Sequence, residues 1–178
     1  KNECPHRKGT SSTPSGGGSW GSENTYMCLL AVVACMAVDA GDIMSVLLDS
    51  GATAHMKRNK DNMTNVRAHK GRVTLANGTK VDVVAIGDWT TFIMHADGVV
   101  RKVVFNDVIV VPDLSRDLLS VARIDDAGGK VIVSGGKGAI YKGGMGLPLR
   151  KINNTYVLDL HHGLPESAEE AHVAVTPE

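Results

Sequence analysis

Aromatic side chains are scarce, only 4% of these 178 residues. An interior with few rings must be filled by Val, Ile, Leu, Ala and Met, which suits thin layers of β-sheet. Cysteine is scarcer still. Cys4, Cys28 and Cys35 are odd in number and widely spaced, which argues against a disulfide framework and for a reducing compartment. An excess of one charge sign is missing too, because 19 Lys and Arg balance 19 Asp and Glu. Without a net positive field, sequence-independent nucleic-acid binding by the chain as a whole is not expected. Long apolar runs are also lacking. The longest, Met27–Val38, stops short of the ~20 residues a membrane helix needs. It also lies too far from a charged start to act as a signal peptide.

What is present is enough for one domain with tails, since 43% of the residues are apolar. The first residue is Lys1, not Met, so the sequence reads as a piece of something longer. Residues 1–24 hold a basic start, CPHRKG, and then SSTPSGGGS. Ser, Gly and Pro at that density form a flexible linker, because nothing there can be buried to offset ordering entropy. The ordered domain is expected over 25–160. Residues 161–178 turn acidic and coil-like, with PESAEEAH.

Between the tails the pattern is mostly strand-like. Strands are expected at Ile43–Leu48, Arg72–Ala76, Thr79–Ile86, Thr90–His95, Val99–Phe105 and Asp107–Val111, with Pro112 ending the last. Asn77-Gly78 is a strong hairpin signal. A strict two-residue turn would pair Leu75 with Lys80 and mix apolar with polar on one face. Either the register differs or the hairpin stands partly clear of the core. From Ser115 to Gly128 the period changes. Leu118, Val121, Ala122 and Asp125 share a helical spacing, Ser115 or Asp117 can cap the start, and Gly128 can close the end. Lys130–Val133, Ala139–Lys142 and Thr155–Leu160 complete an all-β chain with one short helix, a barrel or a sandwich.

The run Val46-Leu47-Leu48-Asp49-Ser50-Gly51-Ala52-Thr53 puts a carboxylate at the end of an apolar strand. Burial disfavours the charged form of such a group. If a second copy of the loop faces the first, two carboxylates share one proton, and one acts as base on water while the other acts as acid. Taken alone, D-S-G is an ordinary turn, since all three residues favour turns.

The wider context carries more. LLDSGATAHM, then VTLANGTKV, then VVFNDVIVVPDLSRDLLSVARIDDAGGKVIV resemble the retropepsin-like aspartic protease region of copia-type retrotransposon Pol polyproteins. In that family a D-S-G-A-T/S loop precedes an L-A-N-G hairpin, a V-P-D-L strand end and an N/D-L-L-S-V helix. The resemblance covers about residues 43 to 160 and implies a closed β-barrel with one short helix, active as a homodimer. It implies that Asp49, Ser50 and Gly51 form the catalytic triplet. Ala52 and Thr53 would line the substrate cleft, and Ala76, Asn77 and Gly78 would form a flap that binds peptide through its backbone. Leu118-Leu119-Ser120 stands where retropepsins have two apolar residues and a glycine, so Ser120 departs from that general pattern while matching the copia version. This chain has a single D-S/T-G, and Asp126-Ala127-Gly128 lacks the hydroxyl, so an active enzyme must be a symmetric homodimer.

The implied function is an aspartic endopeptidase that processes its own Gag-Pol polyprotein. Polypeptide is the substrate, and neither metal nor organic cofactor is called for. The setting is cytoplasmic, within virus-like particles, with no membrane partner. Two rivals stand beside this reading. One is a non-catalytic β-barrel module of a degenerate or host-adopted element, and the other is an unrelated β-sandwich in which D-S-G is a turn. Cys4-Pro5 looks like the end of a CCHC zinc knuckle, but its partners would lie upstream of Lys1 and no tetrahedral site forms within this chain. Cys28 and Cys35 lack ligand spacing and suit core packing. His55 and Met56 could contact substrate or simply pack. His161-His162 reads as solvated tail, and Gly135-Gly136-Lys137-Gly138 as a tight turn without the ending of a phosphate loop. Lys57, Arg58 and Lys60 read as an exposed basic face, and Trp89 and Phe92 as core or interface.

Overall fold

The structure, a computed structural model, describes residues 24–28, 44–161 and 173–175. In chain order its elements are β1 Asn24–Cys28, β2 Met44–Asp49, β3 Met56–Lys57, β4 Met63–Leu75, β5 Lys80–Met94, β6 Val100–Val110 and β7 Leu118–Ser120. After these come α1 Val121–Asp126, β8 Lys130–Ser134, β9 Lys137–Lys142, β10 Met145–Ile152, β11 Thr155–Leu160 and β12 Val173–Val175. The Cys4 segment, Cys35 and most of the Met27–Val38 run lie outside the described residues. In the tail, which reads as coil in the sequence, Val173–Val175 pair parallel with Val103–Phe105 of β6.

Among the described residues the strands form one sheet in the order β1-β4-β5-β6-β3-β7-β2-β11-β10-β9-β8, with β12 also on β6. This all-β chain with one short helix matches the expected composition of elements, but the expected closed barrel is corrected. The hydrogen-bonded path is open, ending at β1 on one side and β8 on the other. The sheet curls back far enough for one isolated bridge, in which the His161 N–H donates to the Phe92 carbonyl at 2.8 Å. Closure would require paired edges, and β10, β9 and β8 instead run on past β11 as hairpins.

β2, β7 and β11 lie side by side in the middle of this path. Their neighbouring residues point to opposite faces, and both faces are covered. Leu47, Leu118 and Val157 enter one apolar cluster with Met56, Val73, Val81 and Ile109. Val46, Leu119 and Leu158 enter a second with Trp89, Phe105, Ile124 and Ile140. A strand buried on both sides reads as a continuous apolar run, as VLL before Asp49 does.

The long strands run through irregularities where the sequence suggests breaks. The segments Thr79–Ile86 and Thr90–His95 are a single strand, β5, and the two segments on either side of Asn106 are a single strand, β6. One extra residue of β6 is taken up at a bulge near Asp107, whose φ is 53°. Its N–H is accepted by the Asp88 carboxylate at 3.3 Å. Two further shifts lie in β4. At one of them Gly87 of β5 passes so close that an added Cβ would sit 2.8 Å from the Thr64 carbonyl oxygen.

The helix is shorter than the sequence suggests. Leu118 and Leu119 pair with Leu47 and Leu48 as strand, so Ser120, not Ser115 or Asp117, is the cap, and its hydroxyl accepts from the Arg123 N–H at 3.2 Å. At the other end Gly128 takes φ +76°, and the Gly128 and Gly129 N–H groups donate to the Asp125 and Ile124 carbonyls. This is a Schellman closure.

Candidate functional site

Asp49 is the last residue of β2 and lies opposite Ser120 of the parallel strand β7. Its surface is 9% exposed. The chain turns immediately, and the Gly51 N–H donates to Asp49 Oδ1 at 2.7 Å. Ser50 is exposed and Gly51 half-buried, while Ala52 packs into the first core cluster and Thr53 faces solvent. From Ala54 to Lys57 the chain is buried again.

The loop is anchored from β7. The Ser120 hydroxyl, fully buried, donates to the Ala52 carbonyl at 2.6 Å, and the Ser120 N–H donates to His55 Nδ1 at 3.1 Å. Because Nδ1 accepts, the proton of the neutral imidazole sits on Nε2. Burial, with the nearby Arg123 charge adding to it, pushes the His55 pKa down to about 4. The ring also meets Phe105 edge-on at 5.3 Å between centroids. The His55 carbonyl accepts from the Ile109 N–H of β6 at 3.0 Å. Thus Ser120 holds the residue just past the D-S-G triplet, and His55 holds Ser120. In the sequence Ser120 stands out only as a departure from the retropepsin glycine, and nothing local links it to His55. Both bonds span more than sixty residues, and the pairing of β7 with β2 and with β3 brings the ends together.

The Asn77-Gly78 hairpin has a different register from a strict two-residue turn. Thr74 pairs with Lys80, and Leu75 exchanges backbone contact with Thr79. The tip is therefore the three residues Ala76, Asn77 and Gly78, with Gly78 at φ +82°. Asn77 Oδ1 accepts the Thr79 N–H at 2.9 Å and stiffens the turn. This register buries the Val73–Val81 pair and leaves all three tip residues exposed. The hairpin root and the D-S-G loop share one core, since Val73, Val81, Ala52 and Leu118 belong to the same cluster.

Two adjoining clefts open on the other side of His55. The first is walled mainly by apolar residues of β6, β9 and β10 together with Arg123 and Lys142. The second is lined by Asn106, Asp107, Asp126 and Arg123. Neither is lined by Asp49 or by the hairpin tip.

The expected basic face at Lys57, Arg58 and Lys60 is corrected in part. Lys57 is only 3% exposed, its Nζ 3.2 Å from Asp117 Oδ2 and 4.4 Å from the centre of the Trp89 ring. Asp117 also accepts the Arg58 N–H at 2.9 Å. This partly buried ion pair clips the chain beyond the D-S-G loop to the approach of β7. Among the described residues no group of three or more His, Cys, Asp or Glu is placed to hold a metal ion.

Residues 46–129 match the family model described as Pol polyprotein, beta-barrel domain. The match begins in β2, takes in the D-S-G loop, the hairpin, β7 and α1, and ends at Gly129. It supports a Pol polyprotein region and, with it, a retrotransposon polyprotein module. Among curated proteins and solved structures, nothing matches the chain.

Proposed function

We propose that this chain is the aspartic endopeptidase of a copia-type retrotransposon polyprotein, active as a homodimer with an Asp49 from each copy across a two-fold axis. The observation that carries the reading is the position of Asp49. It closes a strand buried on both faces, beside a parallel partner strand, on a loop held from behind by Ser120 and His55. Such a loop is stiff enough to be met by a symmetry mate. Two facing carboxylates share a proton, and the ionised one draws a proton from water while the protonated one donates to the scissile carbonyl oxygen. Substrate, a segment of the same polyprotein, would lie extended beneath the Ala76-Asn77-Gly78 tip, whose backbone groups are free of side-chain bulk at Gly78. Ser50 and Gly51 complete the triplet, and Thr53 borders it. Cytoplasmic virus-like particles are the expected setting.

A second reading is a non-catalytic module of a degenerate element. The observation on its side is that the two clefts beside His55 leave Asp49 aside. A fluorogenic peptide assay on the full chain, paired with sedimentation, separates the readings. Asp49→Asn should reduce turnover by roughly 10²–10⁴-fold, the range for removal of an acid–base group, while leaving the dimer intact. Equal turnover by both proteins, or a strict monomer at high concentration, refutes the peptidase.

A further inference from the structure

Among the described residues one side-chain nitrogen is fully buried without a hydrogen-bond partner, Nζ of Lys142 at the end of β9. An ammonium deprived of water and of any acceptor is strongly disfavoured, so such a group calls for an explanation. Lys142 lines the first of the two clefts beside His55, where Val103, Phe105, Ile140, Met145 and Leu147 provide apolar walls. Arg123 of α1 lines the same cleft. Its carboxylate neighbours, Asp107 and Asp126, stand at 3.9 Å each, the far limit of ion pairing. Both of those acids face the adjoining cleft, and no Asp or Glu lines the first. The cleft therefore holds two cations and no anion, inside otherwise apolar walls.

We propose that this cleft is a binding site for a carboxylate carried on a compact apolar body. The carboxylate would pair with Lys142 Nζ and the Arg123 guanidinium, and the body would fill the space between Phe105, Ile140 and Leu147. A phosphate fits less well, because it needs more donors than one ammonium and one guanidinium edge provide, and the remaining walls offer few. The neighbouring cleft repels the same ligand through Asp107 and Asp126. Asp49 takes no part, so the site stands whether or not the chain hydrolyses peptides.

A carboxylate on an apolar body is found both at the end of a polypeptide finishing in an apolar residue and in a free branched-chain acid. Calorimetric titration of the full chain with N-acetyl-leucine and with isocaproate distinguishes the two, with N-acetyl-leucinamide as the uncharged control. At least one acid should bind, and the amide should bind at least tenfold more weakly than N-acetyl-leucine or not at all. Binding of N-acetyl-leucine assigns a chain terminus, and binding of isocaproate alone assigns a free acid. Lys142→Met keeps the aliphatic stem and should weaken the acid at least tenfold. With methyl-labelled methionine, the Met145 signal should move on saturation. No binding by either acid, equal binding of N-acetyl-leucine and its amide, or an unmoved Met145 signal overturns the proposal. Should Lys142→Met fold poorly, the comparison of acid with amide on the unaltered chain still decides.

Discussion

Acidification should weaken this fold through His55. Its imidazole is neutral when buried, with a pKa of about 4 against 6.5 for the free side chain. Above pH 6.5 both folded and unfolded chains carry it uncharged, and its contribution is fully present. As pH falls from 6.5 towards 4 the unfolded chain takes up a proton that the folded chain refuses, so stability declines across that window. Below about 4 both forms are protonated and the decline stops. At about 1.4 kcal/mol per unit, the separation amounts to on the order of 3 kcal/mol, a large share of the 5–15 kcal/mol typical of a domain. The loss has a local meaning too. Protonation at Nδ1 removes the acceptor for the Ser120 N–H, and Ser120 holds the Ala52 carbonyl.

The assay is urea unfolding followed by circular dichroism at several pH values from 7.5 to 4, for the natural chain and for His55→Asn. An Asn Oδ1 can stand near the position of Nδ1 and accept the same N–H, but it does not titrate. At pH 7.5 the variant should be weaker by roughly 1–3 kcal/mol, since the ring is lost from a packed site. The gap should then close as pH falls, because only the natural chain loses the His55 contribution. Parallel curves would refute the reasoning, as would an NMR titration of His55 with a midpoint near 6.5. His55 supports the loop that carries Asp49, so this same window should set the acid limit of the proposed peptidase.

Ser120→Ala removes a helix cap and strands the buried Ala52 carbonyl, which together should cost about 2–4 kcal/mol. A urea midpoint within error of the natural chain would contradict the anchor. Gly129→Ala places a Cβ 2.7 Å from Ile124 Cγ2 and 2.9 Å from the Ile124 carbonyl oxygen, and backbone cannot yield cheaply. A loss of about 1–3 kcal/mol is expected in thermal melts, and an unchanged melting temperature would show that the helix end relaxes freely. Lys57→Met leaves the Asp117 carboxylate, 15% exposed, with only its Arg58 contacts, and should cost about 2 kcal/mol. Asp117→Leu added to it should recover part of that loss, and an additive double variant would contradict the pairing.

The parts legible in the sequence are those fixed by local pattern. VLLDSG announces a buried strand ending at a carboxylate because a strand covered on both faces must be apolar without alternation. Asn77-Gly78 locates the hairpin, though not its three-residue tip, because the same dipeptide serves more than one loop length. What stays hidden depends on distant partners. β7 is three residues long and exists because β2 lies beside it, so Leu118 and Leu119 pass for helix. β10 contains Gly146 and Pro148, residues that argue against a strand, yet pairs with β9 across both positions. β5 and β6 look broken because the bulge at Asp107 interrupts alternation without interrupting the ladder. Lys57 passes for a surface cation because the carboxylate and ring that bury it, Asp117 and Trp89, are remote in the chain.

The central strands also explain why one loop can answer to two regions of the molecule. Val46 and Leu47 feed opposite cores just before Asp49, and Leu119 and Leu118 do the same opposite them. The first core holds the hairpin root through Val73 and Val81, and the second holds α1 through Ile124 along with the walls of the Lys142 cleft. His55 sits where these meet, bonded to Ser120 on one side and facing the cleft with Phe105 on the other. The two cores therefore meet the D-S-G loop through Val46 and Leu47, three and two residues before Asp49. Close packing ties the loop to both, because an interior of this density has low compressibility and transmits strain.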